Sequence, residues 1–270
     1  MNIIQVITDE LKVQKWQVEA AVKLIDEGCT IPFISRYRKE ATGSLNDEQL
    51  RTLHERLLYL RNLEDKKNQV LTSIEEQGKL TPELKKQILD AKTLVVVEDL
   101  YRPYRPKRRT RAIIAKEKGL EPLANIIMLQ MTKKPLEEEA KAFLSEEKGV
   151  ETVEDALNGA KDILAETISD EADYRIYIRD LTMKKGSVAS AAKKPEESSV
   201  YEMYYEFEEP IKKLAGHRVL ALNRGEKEKI LTVKVNAPEE EILGWLQKQV
   251  LTKDNPITTP VLREVVEDSY

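Results

Sequence analysis

The residues with the clearest chemical potential lie in one short stretch, residues 101–111, whose sequence is YRPYRPKRRTR. It contains six basic side chains and no acidic one. Guanidinium and ammonium groups bind phosphates, and neighbouring aromatic rings can stack on bases. The stretch therefore predicts a sequence-independent nucleic-acid contact. We expect it to be made by Arg102, Arg105, Lys107, Arg108, Arg109 and Arg111, together with Tyr101 and Tyr104.

The same stretch has a second, structural interpretation. Residues 137–173 contain 13 acidic side chains against three lysines. Carboxylates from this region, or from Glu98 and Asp99, could neutralise the basic side chains within the molecule. The sequence alone leaves both interpretations open.

A smaller basic cluster lies near the start of the chain, at Arg36, Arg38 and Lys39. Glu40 follows it directly and partly balances its charge. We expect these three side chains to extend the phosphate-binding surface, with less weight than the 101–111 stretch.

Few residues are placed for catalysis or for cofactor binding. The chain has one cysteine, Cys29, and two histidines, His54 and His217, and neither histidine lies in a nucleophile motif. This set cannot form a thiolate-rich zinc site. The glycines match neither of the glycine-rich nucleotide-binding motifs. We therefore predict no enzyme activity, no cofactor and no metal.

Three carboxylates define the least favoured alternative, a Mg²⁺-dependent nuclease. Asp162, Glu166 and Asp170 recur at a spacing of four on a predicted helix, so they share one face. Carboxylate oxygens are suitable ligands for Mg²⁺. The same spacing is typical of solvated surface helices, and it therefore carries little weight.

Apolar residues recur at helical spacing along most of the chain, which predicts a mainly α fold. Two short helices are expected within residues 2–28, followed by a connector at 30–33. A leucine stripe predicts one long helix from about Asp47 to Gln77, suited to a helical hairpin. Two short helices with a three-residue link predict a helix-turn-helix-like element at about 81–101.

Two prolines determine the expected backbone of the basic stretch. Pro103 and Pro106 prevent helix continuation and push Arg102 and Arg105 towards extended geometry. We therefore expect residues 101–111 to form an exposed ribbon whose charged groups point outward.

The second half of the chain predicts a boundary and a small β element. Residues 184–199 are small, polar and charged, which favours a break between a helical domain at 1–190 and a connecting segment at 200–270. Alternating residues at 217–223 and 229–235 predict a β-hairpin near 217–235. The last helix, from about Thr259, has an apolar face with no evident partner, which suggests a truncated chain.

Nothing in the sequence predicts a membrane segment. No apolar run exceeds four residues, whereas a spanning helix needs about 18 to 20. The N-terminus also lacks the pattern of a secretory signal. We expect a cytoplasmic protein.

Long strings of mixed residue types resemble the Tex family of bacterial transcription accessory proteins, relatives of a eukaryotic transcription-elongation factor. The resemblance rests on LIDEGCTIPFISRYRKEATGSLNDEQLR (24–51), EDLYRPYRPKRRTRAIIAKEKGLEPLA (98–124) and, more weakly, HRVLALNRGEKEKIL (217–231). It implies an N-terminal part of a multidomain protein. Downstream it implies a YqgF domain, helix-hairpin-helix motifs and an OB-fold that makes much of the RNA contact.

The residue patterns and the family resemblance together favour one function for the chain and leave one main alternative. The chain is expected to be a non-catalytic scaffold of a transcription accessory protein that binds RNA or DNA without sequence preference. The rival is a protein-interaction platform that docks on the transcription machinery or on the downstream YqgF, helix-hairpin-helix and OB-fold domains.

Overall fold

The computed structural model describes residues 2–270, and the chain divides into two compact units. The first unit ends at Tyr104 and the second begins at Arg105. Within the described residues there are fourteen α-helices, two short 3₁₀ helices and three strands. The mainly α prediction is therefore confirmed.

The first unit is organised on one long helix. Its elements are α1 (Ile3–Leu11), α2 (Lys15–Asp26), α3 (Ile31–Tyr37), α4 (Asp47–Glu76), α5 (Pro82–Asp90) and α6 (Leu94–Tyr101). Helix α4 confirms the long helix predicted at about 47–77, and it begins at a capping box between Asn46 and Gln49. Its leucine stripe is buried beneath the five shorter helices, which take the place of a second long hairpin arm.

Helix α3 corrects the connector expected at residues 30–33. The segment IPFISRY is helical, with Pro32 in its first turn and Ile34 buried. Proline is tolerated there because the first N–H groups of a helix have no partner inside the helix. Through Ile34, this short helix packs against its unit, where it contacts α4 and α2.

The two short helices predicted at about 81–101 are present as α5 and α6. Thr81 and Thr93 cap them by accepting hydrogen bonds from Leu84 N and Val96 N. The valines at 95–97 lie in a helix despite their strand propensity, because Val97 is fully buried in the unit. The use of this pair as a helix-turn-helix stays a prediction.

The second unit consists of helices and a small sheet. Its helices are α7 (Arg111–Glu117), α8 (Glu121–Leu129), α9 (Leu136–Lys141), α10 (Val153–Asp170), α11 (Ala172–Lys185), α12 (Gly216–Lys227), α13 (Glu239–Val250) and α14 (Thr259–Ser269). The strands are β1 (Ser187–Ala192), β2 (Glu206–Pro210) and β3 (Leu231–Asn236). Helix α10 is central and packs against α7, α8, α9 and α14.

The predicted β-hairpin near 217–235 is wrong in its first half. Residues 216–227 form α12, which buries Leu222 and Gly225 on one helical face. That face packs on β3, where a Cβ added at Gly225 would approach Leu231 Cδ1 to 2.6 Å. Only the strand predicted at 229–235 is present, as β3.

The residues expected to form a loop at 184–199 supply the central strand instead. The sheet order is β2-β1-β3, with both pairs antiparallel. Small side chains in SVASAA suit a central strand because Val188 and Ser190 are buried beneath neighbouring elements. This stretch therefore does not coincide with the division between the two units.

The apolar face of the last helix is covered, which corrects the expectation that it lacks a partner. Leu262, Val265 and Val266 are buried, and α14 packs against α10 and α13. Residues after 200 therefore share a core with Ile163 of α10. Across residues 2–270, none of the helices combines the length and apolar character needed to cross a bilayer.

Candidate nucleic-acid interface

The basic segment, defined as residues 102–111, is divided between the two units. Residues 102–104 close the first unit, and Arg105 opens the second. The segment has no helix or strand between residues 102 and 110, so its side chains are positioned by individual contacts. These contacts differ among the predicted binding residues: some side chains are partly buried and paired, and others are exposed.

Arg102 corrects the prediction of an extended ribbon. Its backbone is helical (φ −51°, ψ −43°), and its N–H donates to the carbonyls of Glu98 and Asp99. These hydrogen bonds complete the last turn of α6 and outweigh the preference of a residue before proline for extended geometry. The Arg102 side chain remains exposed.

Tyr101, directly before the segment, and Tyr104, within it, are partly buried and are held by residues of α4 and its C-cap. The hydroxyl groups of Tyr101 and Ser73 lie 3.0 Å apart, and Lys66 Nζ lies 5.8 Å from the Tyr101 ring centroid. Gln77 Nε2 donates to the carbonyl of Tyr104 at 3.0 Å. These contacts hold both residues on their own unit.

Lys107 is an internal anchor of the segment. Its side chain is 21% exposed, it donates to Asp170, and its Nζ lies 3.3 Å from Glu166 Oε1. Arg111 makes looser contacts, with Nε 3.4 Å from Asp162 Oδ1 and Nη2 3.5 Å from Asp268 Oδ2. At these two positions the structural interpretation of the segment is correct.

The remaining arginines of the segment are exposed. Arg105, Arg108 and Arg109 lie at the surface. Arg109 Nη2 pairs with Glu117 Oε2 at 2.9 Å, but both side chains are largely in solvent, and such pairs contribute about 0–1 kcal/mol. Within residues 2–270, no carboxylate forms an ion pair with Arg108. The guanidinium groups of Arg108 and Arg109 can therefore reach an external anion at little cost.

The three carboxylates of the nuclease alternative do share one face of α10, which we call the acidic face (Asp162, Glu166 and Asp170). This face is occupied by Lys107 and Arg111. Burial raises the pKa of Asp162, and the nearby Arg111 partly opposes that effect. In the described part of the chain, no three Asp, Glu, His or Cys side chains are arranged to hold a metal ion.

The smaller cluster at Arg36, Arg38 and Lys39 lies at the end of α3, and all three side chains are exposed. Sequence reasoning missed two aromatic residues beside it. Phe33 and Tyr37 are 37% and 68% exposed, and their ring centroids lie 5.4 Å apart. A signal was present, because aromatic residues four apart share a helix face.

The loop after α3 is held in place by α2. Gln17 Nε2 donates to the carbonyls of Thr42 and Gly43, at 3.3 and 2.9 Å. Gly43 has φ +60°, and a Cβ added there would lie 2.5 Å from the Trp16 ring. Glycine is therefore required where the loop passes under this ring.

Two protein-family models match the chain. The model described as the Tex-like protein N-terminal domain matches residues 1–75, and the model described as Tex central region-like matches residues 130–262. The first match includes Arg36, Arg38 and Lys39, whereas the basic segment lies between the two matches.

Longer proteins from several organisms are similar to the chain. It is 48% identical over 269 residues to the uncharacterized protein YdcI of Bacillus subtilis (strain 168), an alignment of 98% of this chain and 37% of that protein. It is 42% identical over 235 residues to the transcriptional accessory protein Tex of Neisseria gonorrhoeae, with 86% and 31% covered. It is 30% identical over 285 residues to S1 RNA-binding domain-containing protein 1 of Pongo abelii, with 100% and 28% covered. The chain thus spans about a third of the length of these relatives.

Proposed function

Because the chain belongs to the Tex-like family, we propose that it is a non-catalytic part of a transcription accessory protein and contacts RNA or DNA through exposed basic side chains. One observation carries the proposal. Arg102, Arg105, Arg108 and Arg109 all reach solvent from an irregular segment that contains no acidic residue. Names of two relatives, a transcriptional accessory protein and an S1 RNA-binding domain protein, support it.

The contacts assign different roles to the predicted binding residues. Lys107 and Arg111 hold the segment on the acidic face, while Arg105, Arg108 and Arg109 bind phosphates. On the first unit, the exposed Arg102 is a separate phosphate contact beside the packed Tyr101 and Tyr104. Arg36, Arg38 and Lys39 form a second phosphate-binding surface on that unit.

The proposed binding is electrostatic and reads no sequence. Phosphate contacts carry no base information, and they release counterions from the nucleic acid. The three phosphate contacts of Arg105, Arg108 and Arg109 would contribute about −2 to −3 to the slope of log affinity against log salt. We place this activity in the cytoplasm, without a cofactor.

Replacing Arg105, Arg108 and Arg109 together by alanine tests the proposal. Fluorescence anisotropy with the 270-residue chain should show weaker binding to labelled RNA and DNA, by a similar factor for unrelated sequences. The matched control replaces Arg224, Lys227 and Arg263 by alanine, which removes three exposed cations elsewhere in the second unit. Equal affinities of both variants would remove the segment from the interface.

A protein-interaction platform is a second candidate, favoured by a different surface. The exposed acidic residues Glu137 and Glu138 lie on α9, and apolar Leu129 and Met131 nearby in sequence are 60% and 67% exposed. Such exposed apolar residues are typical of docking sites. A Leu129→Ala/Met131→Ala variant that loses binding to purified RNA polymerase but keeps RNA affinity would favour this candidate.

The pairing on the acidic face supports a non-catalytic role. Asp162, Glu166 and Asp170 face Lys107 and Arg111 rather than an open ligand position. We therefore rank the Mg²⁺-dependent nuclease last. Cleavage of RNA or DNA with Mg²⁺ that disappears when the three carboxylates become amides would reverse this ranking.

A further inference from the structure

The outer face of α3 presents two aromatic rings to solvent. Phe33 and Tyr37 follow each other by one helical turn, with ring planes inclined at 43° and centroids 5.4 Å apart. Their neighbour Ile34 is completely buried and attaches the helix to its unit. Phe33 is 37% and Tyr37 68% exposed, so each ring keeps part of its π surface in solvent.

A guanidinium group completes the aromatic surface. Arg38 Cζ lies 5.2 Å from the Phe33 ring centroid, and Nη1 donates to the carbonyl of Tyr37 at 3.3 Å. A cation over an aromatic face is attracted by the ring quadrupole. The planar group is thereby held beside the two rings, and we call Phe33, Tyr37 and Arg38 the stacking platform.

Positive charge surrounds the stacking platform without internal neutralisation. Arg36 and Lys39 are exposed, and among residues 2–270 no carboxylate forms an ion pair with either of them. The exposed Glu40 is the acidic neighbour in sequence. Unpaired cations beside aromatic rings match a polyanion with unstacked bases better than a neutral or basic peptide.

Contacts within the first unit already hold the stacking platform in position before any ligand binds. Pro32 restricts the first turn of α3, and Gln17 fastens the following loop through Thr42 and Gly43. A prearranged surface loses less conformational entropy on binding than a mobile one. The rings therefore need little rearrangement to receive a ligand.

We infer that the stacking platform binds single-stranded nucleic acid by stacking one or two unpaired bases on Phe33 and Tyr37, while Arg36 and Lys39 bind the adjoining phosphates. Bases in a duplex are covered by their neighbours and cannot reach these rings. This inference rests on the proposed function and adds a ligand class, the single strand, and a site on the first unit.

A Phe33→Leu/Tyr37→Leu variant tests the inference, because it keeps apolar volume and removes the rings. Anisotropy with a labelled single-stranded oligonucleotide should show affinity about tenfold or more lower, since base stacking on an aromatic ring is worth that much. Affinity for a duplex should change less than about twofold, and the salt slope should stay the same because no charge is lost.

Two further variants complete the experiment. Phe33→Tyr/Tyr37→Phe keeps both rings and should keep single-strand affinity. Val200→Ala/Met203→Ala removes exposed apolar side chains from the second unit and should have no effect. Thermal unfolding of all three variants checks that each remains folded, since Phe33 is partly buried, at 37% exposed.

The outcomes separate this inference from the proposed function. If the arginine triple variant binds weakly while Phe33→Leu/Tyr37→Leu binds single strands like the wild type, the stacking platform is wrong and the proposed function stands. If the wild-type chain binds neither single strands nor duplexes, both are wrong. Equal losses for single strands and duplexes in the leucine variant would also overturn base stacking.

Discussion

Lys107 donates a hydrogen bond to Asp170, a residue 63 positions further along the chain. The Asp170 side chain is 10% exposed, and the ammonium group also lies 3.3 Å from Glu166 Oε1. Helix α10 thus anchors the basic segment at Lys107 and, more loosely, at Arg111, while Arg108 and Arg109 between them reach solvent. The anchoring residues therefore flank two of the arginines that we propose bind phosphate.

Removing the anchor should destabilise the second unit. Lys107→Ala removes the Lys107 ammonium group from the nearly buried carboxylate of Asp170, which we expect to cost about 1–3 kcal/mol. A double-mutant cycle with Asp170→Asn should give a coupling energy of about 1–3 kcal/mol. The measurement is urea unfolding followed by Trp245 fluorescence in a Trp16→Phe background.

The exposed pair of Arg109 and Glu117 is the control for this cycle. Arg109→Ala should change the free energy of unfolding by less than about 0.5 kcal/mol, because both partners are largely solvated. A coupling near zero for Lys107 and Asp170 would show that the anchor does not hold.

The buried side chain of Lys67 should contribute to the stability of the first unit. This side chain is 1% exposed, and its ammonium group donates to the carbonyl of Leu89 at 2.7 Å, in the last turn of α5. Lys67→Ala removes that hydrogen bond and leaves a cavity, which should cost about 2–4 kcal/mol in unfolding free energy.

Lys67→Met is the matched variant because it retains most of the volume. It should lose the hydrogen bond to Leu89 and the 3.6 Å ion pair with Glu64 but no packing, and cost about 1–2 kcal/mol, measured by urea unfolding. Equal losses for the alanine and methionine variants would show that packing around Lys67 contributes little.

Two ion pairs predict how the first unit responds to acid. Arg56 lowers the pKa of Glu10 chiefly by hydrogen bonding, and Arg61 does the same for Asp26. A lowered folded-state pKa contributes stability above the ordinary values of 4.5 and 3.8, and this stability is lost as pH falls through the folded values. Unfolding free energy should therefore fall as the pH drops below about 5.

The Glu10→Gln variant isolates one of these pairs. It should be less stable than the wild type at pH 7, and the difference should shrink as the pH approaches 3, as measured by urea unfolding across that range. A difference that is constant with pH would contradict the role of the Glu10 carboxylate.

The helices were predictable where caps and periodicity agree. Thr152 caps α10 through Asp155, and the sequence shows both residues directly before an apolar stripe. The strand predicted at 217–223 was wrong because polar and apolar residues alternate there, a pattern that suits a strand. Burial of Leu222 against Leu231 of β3 decided for a helix, and that contact is not visible in a local pattern.

The candidate site was predictable in composition but not in arrangement. The sequence shows a basic stretch and an acidic helix, yet it cannot show that Lys107 is anchored while Arg108 is free of an ion pair within residues 2–270. The spacing of Phe33 and Tyr37 is visible, but their exposure depends on Ile34 being the buried side chain of α3. Tertiary packing determines both distinctions.

The salt dependence of binding shows whether Arg105, Arg108 and Arg109 contact phosphates. Affinity of the wild-type chain and of the Arg105→Ala/Arg108→Ala/Arg109→Ala variant for single-stranded RNA should be measured at several salt concentrations. We expect weaker binding by the variant and a log-log slope that is flatter by about 2, because three phosphate contacts on a single strand are lost. Identical affinity and slope for the two proteins would contradict it.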